Sequence, residues 1–329
     1  MYLTKFLTVT TLATVGFAIA ATTSPGVASA QAYPTKAVRI VVPFLPGGGT
    51  DIIARLIAAR LATDWDRSVV VDNRAGAATV PGSDIVAKGA PDGHTLLLTA
   101  NPHTSNPALV AKLPYDTLQD FSAVTMIASA PLILVVHPSL PVRSVQELVK
   151  LAKARPGQLA YATSGNGGPQ HLAGELFKSM AGLDILHVPY KGTMPATTDL
   201  MAGRVQISFS SLLTALPQVH ASRLRALAVT SLHRSKANSE FPTLAESGLP
   251  GYESLTWYGM FSTGRTPAPV IQKINADTLK ALRSQDITER LVRDGLEPVG
   301  SDPDTFSAFV RHEIEKVTKL VKAAGIKAD

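Results

Sequence analysis

The stretch Val41-Val42-Pro43-Phe44-Leu45-Pro46-Gly47-Gly48-Gly49-Thr50-Asp51 passes from one kind of structure to another within a few residues. The apolar run 38–44 reads as a buried strand. Three glycines break it, and an almost wholly apolar helix follows over 52–62. Glycine lets a backbone approach a ligand closely and adopt positive φ. Thr50 or Asp51 stands where an N-cap is wanted. The free N–H groups of such a helix start, with the helix dipole, suit a small anion. The same residues also read as a capped glycine turn that binds nothing, so the rest of the chain must decide.

Outward from this stretch, strand-like and helical runs alternate. Strands over 68–71 and 95–99 and a short helix over 82–88 complete a first series. A second series places strands over 132–136, 159–162, 185–188, 205–209 and 224–229. Its helices cover 144–154, 170–180 and 195–202, the first opened by Ser144 with Glu147 three residues on, as in a capping box. Residues 255–262 read as a strand returning to the first series. The chain then turns helical over 269–283, 287–294 and 303–324, with Asp302 capping the last. Such alternation predicts an α/β fold with a parallel sheet covered by helices. The out-and-back path predicts two lobes, 31–126 with 256–329 and 127–255. Open α/β sheets bind ligands beyond the carboxyl ends of their strands, so the lobes face each other across a cleft.

The second series contains a counterpart of the opening stretch. The strand at 159–162 runs into Thr163-Ser164-Gly165-Asn166-Gly167-Gly168-Pro169-Gln170-His171 and then a helix. Two such loops, one per lobe, point to an anion held between them. A charge-assisted hydrogen bond nets about 1.5–3 kcal/mol and a helix terminus adds about 0.3–1 kcal/mol. Two bonds at one loop thus give about 3–7 kcal/mol, against about 4–15 kcal/mol for immobilising a ligand. One loop falls short of the roughly −8 kcal/mol of a micromolar site; closure of the second supplies the rest.

Other segments reach toward the same cleft. Asn101 and His103 follow a first-lobe strand, Tyr190 and Lys191 a second-lobe strand, and Ser210 lies at another strand end. His103 and His171 read as polar lining or structural partners rather than bases. Lys191 either pairs with a carboxylate or is solvated. Arg74 reads as a loop anchor and Trp257 as core.

Bulk properties restrict the function. At 329 residues the chain suits two ordinary domains. It has no cysteine, which excludes disulfides, thiol catalysis and cysteine-ligated metals. The net charge of +6 is spread, without the basic stripe and aromatics of a nucleic-acid binder. Lys5, the apolar run 6–21 and Ala28-Ser29-Ala30 have the layout of a cleaved secretory leader over 1–30, so the mature protein is expected in the periplasm.

Catalytic signatures are absent. No lysine follows the first glycines as a phosphate loop requires, the dinucleotide spacing fails, and there is neither a zinc-protease helix pattern nor a nucleophile elbow around Ser164. No cofactor and no metal site is expected. A hydrolase using Ser164 with a remote His and Asp stays a minor alternative.

These residues carry a resemblance. Arg39-Ile40-Val41-Val42-Pro43-Phe44, Gly47-Gly48-Gly49-Thr50-Asp51, Asn73-Arg74-Ala75-Gly76-Ala77, Pro91-Asp92-Gly93-His94, Ser164-Gly165-Asn166-Gly167, Val188-Pro189-Tyr190-Lys191-Gly192 and Phe241-Pro242-Thr243-Leu244 occur in order along the chain. Together they resemble the Bug family, substrate-binding proteins of the tripartite tricarboxylate transporter type. The resemblance implies a two-lobed, type II periplasmic binding protein, or Venus flytrap, that takes a small organic carboxylate. It also implies delivery to a membrane permease, with presentation to a sensor as the alternative. A monomer with no nucleic-acid partner is expected. Family ligands are held by residues that map here onto Phe44, Gly48, Gly49, Thr50 and Asp51, and onto Ser164, Gly165, Asn166 and His171. Three departures stand out. Leu45 replaces a small residue or proline, Ala77-Ala78-Thr79-Val80-Pro81-Gly82 replaces a glycine-rich continuation, and His94 replaces a tyrosine.

Overall fold

The computed structural model describes Met1 and residues 33–234 and 239–326. The expected leader therefore lies outside the described residues. From Pro34 onward the chain forms one compact unit.

Three parallel strands open the fold: β1 (Val38–Val42), flanked by β2 (Val69–Asn73) and β3 (Thr95–Ala100). Their connections are α1 (Gly49–Trp65) and α2 (Val80–Ala87), with α3 (Pro102–Leu109) after β3. α3 is a helix to which the sequence reading assigns no element. Pro102 at its first turn lacks an N–H that would be unsatisfied there anyway.

The sheet is mixed rather than parallel, because β4 (Phe121–Val136) and β9 (Leu255–Thr263) run antiparallel to each other and β9 runs antiparallel to β3. β4 has 16 residues, of which the sequence pattern exposes just the last five as strand. Its first part reads Phe-Ser-Ala-Val-Thr-Met, without clean alternation, and its pairing with β9 slips twice, between Ala123 and Thr125 and between Met126 and Ala128. Bulges of this kind shift which face a side chain takes, so the period that marks a strand is lost.

β4 also joins the two halves of the sheet. Through Pro131 it pairs with β9; from Leu132 it pairs with β7 (Ile207–Ser211) and β8 (Arg225–Val229). Pro131 stands where the partner changes, a place that tolerates its missing donor. Fully buried Thr230 ties the crossing together. Its hydroxyl accepts from Leu132 N–H at 2.7 Å and donates to the Ser254 carbonyl at 2.6 Å. In the second half, β5 (Ala160–Thr163) lies parallel between β7 and β6 (Leu186–Pro189), giving the overall order β2-β1-β3-β9-β4-β7-β5-β6. The helices α4 (Val145–Ala154), α5 (Pro169–Ala181), α6 (Thr193–Met201) and α7 (Leu212–His220) cover it. Ser144 caps α4, accepting the Glu147 N–H at 3.1 Å as its spacing predicts.

The closing helices are α8 (Ala268–Leu282), α9 (Gln285–Arg293) and α10 (Pro303–Ala324), with the two-residue strand β10 (Glu297–Pro298) on β4. α10 packs on both α3 and α5, so it spans the two halves beside the site. Leu172, Val317, Leu320 and Val321 form the apolar seam there.

Candidate functional site

The carboxyl ends of β1, β2 and β5 carry the loops from which the site is built. α1 starts at Gly49, three residues earlier than expected, with Gly48 as its cap. Thr50 and Asp51 are thus inside the first turn and cap nothing. The N–H groups of Gly49, Thr50 and Asp51 head the helix with no acceptor among the described residues, as the first turn of any helix leaves them.

Asp51 has a different task. It is buried, and its carboxylate accepts from Gly47 N–H at 2.9 Å, Arg55 Nε at 3.0 Å and Asn73 Nδ2 at 3.0 Å. The same Asn73 amide donates to the Phe44 carbonyl at 3.1 Å, and Arg55 Nη2 donates to Asn73 Oδ1 at 3.1 Å. This closed network holds both flanks of the glycine loop. Burial pushes the Asp51 carboxyl up, but the bonds from Arg55, Gly47 and Asn73 outweigh it and hold it below its ordinary value. A carboxylate with both oxygens so engaged braces the glycine loop from beneath.

Tyr258 of β9 completes this end of the site. A Cβ on Gly49 would stand 2.9 Å from its hydroxyl, so glycine there admits the phenol beside the helix start. Burial raises the Tyr258 pKa, leaving a neutral O–H. Trp257 is fully buried in the core, so alternation along β9 turns Tyr258 the other way.

The loop after β2 lies against the first. Arg74 N–H donates to the Val42 carbonyl at 2.8 Å, and a Cβ on Gly82 would meet Pro43 at 2.7 Å. Within it Ala78 (φ 49°) and Thr79 (φ 66°) are both left-handed. Asn106 of α3 holds this turn, donating to the Ala78 carbonyl at 2.6 Å.

The second loop is similarly braced. Ser164 N–H donates to Gln170 Oε1 at 2.7 Å and Gly167 N–H to His171 Nδ1 at 3.0 Å. Tyr190 N–H and Gly192 N–H donate to the Thr163 and Ser164 carbonyls at 3.0 and 3.2 Å. The His171 ring stacks on His187 at 3.9 Å, and His187 Nε2 meets Thr163 Oγ1 at 2.7 Å. Burial lowers both histidines, His187 to about 4, so both are neutral at pH 7. His171 orients the loop through a ring nitrogen. Left for a ligand are the amides of Gln170 and His171 behind Pro169, the exposed Asn166, and the Ser164 hydroxyl. That hydroxyl bonds to no histidine among the described residues.

Four expected site residues are committed elsewhere. His103 is fully buried, packed on Phe121 and Phe261 with ring centroids 4.8 and 4.4 Å away, and burial alone lowers it to about 3. It is core, not cleft. Asn101 spends both ends of its amide on β9, at Leu255 O (2.8 Å) and Trp257 N–H (3.2 Å). The Tyr190 phenol donates to Asp199 at 2.8 Å, and Ser210 Oγ to Ser208 Oγ at 3.2 Å. Lys191 is exposed and makes no ion pair among the described residues. Gln170, Thr163, His187, Asn73 and Asn106 do the bracing instead; their partners are distant in sequence or hidden in loop geometry.

The halves touch at Gly167, where a Cβ would come within 2.7 Å of Leu109 of α3. A cavity of about 680 Å³ opens there, reached by Asn166, Gly167 and Gly168 on one side and by Ala77–Pro81 and α3 on the other. It does not include Gly47–Asp51.

With this geometry in view, the similarity to known proteins is specific. A family model described as "Tripartite tricarboxylate transporter family receptor" matches residues 53–326. The chain belongs to that family. It is 36% identical to Protein BugT of Bordetella pertussis over 96% of this chain and 98% of that one. Among solved structures, R. palustris Rpa4515 with adipate superposes with a TM-score of 0.74 at 39% identity, covering 90% of this chain and all of that one. MatC from Rhodopseudomonas palustris, with bound malate, gives 0.70 at 30% identity over 88% of this chain and 100% of its own. The fold is therefore that of a two-lobed periplasmic binding protein, and the family is one of receptors rather than of enzymes.

Proposed function

We propose that the protein is a periplasmic solute-binding protein that captures a small carboxylated metabolite between its lobes and hands it to a tripartite tricarboxylate-type permease. The residues expected as a leader, 1–30, direct export and are removed. In this reading the lobes comprise 31–126 with 256–329, and 127–255.

The observation that carries the reading is the pair of glycine-led helix starts, α1 and α5, whose leading amides have no acceptor among the described residues. They stand on one connected rim: Asn73 ties the first loop to the end of β2, Asn106 ties the loop after β2 to α3, and Leu109 of α3 abuts Gly167 of the second glycine loop. The ligand's carboxylate accepts from Gly49 and Thr50 N–H, with the second loop closing through Asn166 and the Gln170 amide. Relatives with adipate and malate bound support a carboxylate.

Thermal shift against a panel of organic acids tests this. At least one mono- or dicarboxylate should raise the melting temperature, and neutral analogues of the same size should not. Gly48→Phe should abolish the effect without lowering the unliganded melting temperature. Gly48 has an ordinary extended backbone (φ −79°, ψ 168°), and nothing nearer than 3.7 Å opposes a Cβ there. A panel with no stabilising acid would overturn the reading.

A further inference from the structure

Resting on that carboxylate-binding reading, we propose that this protein's ligand is a monocarboxylic acid with an extended apolar body, seated in the cavity between Ala77–Pro81 and α3. The cavity begins at Asn166–Gly168, so its walls continue directly from the second anion loop. Its volume, about 680 Å³, is that of a small-molecule site, typically about 300–1,000 Å³.

The chemistry of the walls selects the body. Ala77, Ala78, Val80, Pro81, Leu109 and Val110 supply apolar surface, and no Lys, Arg, His, Asp or Glu occurs among the described residues lining it. Of the polar side chains there, Asn106 already donates to the Ala78 carbonyl. A second carboxylate or a row of hydroxyls would lose its water in this cavity without a cation to replace it. A hydrocarbon body loses nothing and gains burial.

The backbone of the wall points the same way. Ala78 and Thr79 are consecutive left-handed residues without being glycine, a conformation that costs energy at residues with a Cβ and concentrates at functional sites. The side chains of Ala77, Ala78, Val80 and Pro81 line the cavity with carbon.

The test is calorimetric titration of the purified mature protein with straight-chain monocarboxylates from butanoate to octanoate, and with adipate, malate and citrate. Burying each methylene should tighten binding about three- to fourfold, about 80- to 250-fold over four. Hexanoate should bind more tightly than adipate, which has the same number of carbons. Ala78→Asn, a residue that tolerates the left-handed region, should flatten the chain-length series while the unliganded protein melts as before. Tighter binding of adipate, malate or citrate than of hexanoate, or a series flat in the unaltered protein, would overturn this proposal and leave carboxylate binding standing. Failure of every acid to bind would overturn both.

Discussion

Removing the Asp51 carboxylate should unfold the protein more readily, because the group braces the first glycine loop. In Asp51→Ala the Gly47 N–H and the Asn73 amide each lose a charged acceptor. Bonds to charged groups net about 1.5–3 kcal/mol each, so the two amount to about 3–6 kcal/mol. The Arg55 contact adds little, since its side chain is 55% exposed and such pairs are screened. Unfolding entropy of about 2.1 cal/mol/K per residue gives about 0.6 kcal/mol/K for the unit from Pro34 to Asp329. The melting temperature of the unliganded protein should therefore fall by about 5–10 °C at pH 7. Asp51→Asn, which keeps an acceptor oxygen, should lose about half as much. The pH dependence has a definite sign. The folded carboxyl lies below its ordinary value, so its stabilisation is full above about pH 4 and disappears as pH falls through the lowered native value. The gap between wild type and Asp51→Ala, followed by calorimetry, should be constant from pH 5 to 8 and shrink below pH 4. A melting temperature within 1 °C of wild type, with ligand binding abolished, would refute the reasoning and make Asp51 a direct ligand contact.

Three further outcomes are expected. Thr230→Val keeps the shape but strands the buried Leu132 N–H and Ser254 carbonyl at the strand crossing; at about 1–3 kcal/mol each, denaturant titration should show a loss of about 2–6 kcal/mol, and a loss under 0.5 kcal/mol would show that water replaces the hydroxyl. Gly167→Ala forces a Cβ into φ +69° and toward Leu109, at about 1–2 kcal/mol for the backbone alone. Adding Leu109→Ala should not restore that backbone share, and full rescue by the double variant would place all the strain in the side-chain contact. Because His187 and His171 titrate lower in the folded protein than in the unfolded chain, the unfolded chain takes up protons first. Stability should be full above about pH 6.5 and decline toward pH 4; His187→Gln should flatten that decline, and an unchanged profile would contradict the neutral stacked pair.

The parts of the fold set by local pattern are readable from residue order. α10 is bounded by Asp302 and its apolar face, and α4 by Ser144 and Glu147, and both lie where the sequence places them. β4 was hidden because its bulges with β9 break the period-two signal. α3 was hidden because Asn101, His103 and Asn106 look like cleft donors, whereas tertiary partners absorb them. At the site, the glycine loops and the helices they open are legible, since glycine and proline act locally. The roles of Asp51 and His171 are not, because a carboxylate at a helix start and a histidine after a glycine loop look alike whether they touch ligand or brace backbone. Tyr258 needed the register of β9 before its phenol could be assigned to the Gly49 side.

The most direct test of the central claim is a crystal structure of the mature protein with whichever organic acid stabilises it. The account predicts one carboxylate with oxygens about 2.7–3.2 Å from backbone N–H groups at the start of α1, around Gly49 and Thr50, with Asn166 or the Gln170 amide closing from the other lobe. An acid held by lysine or arginine side chains elsewhere, with both helix starts vacant, would contradict it.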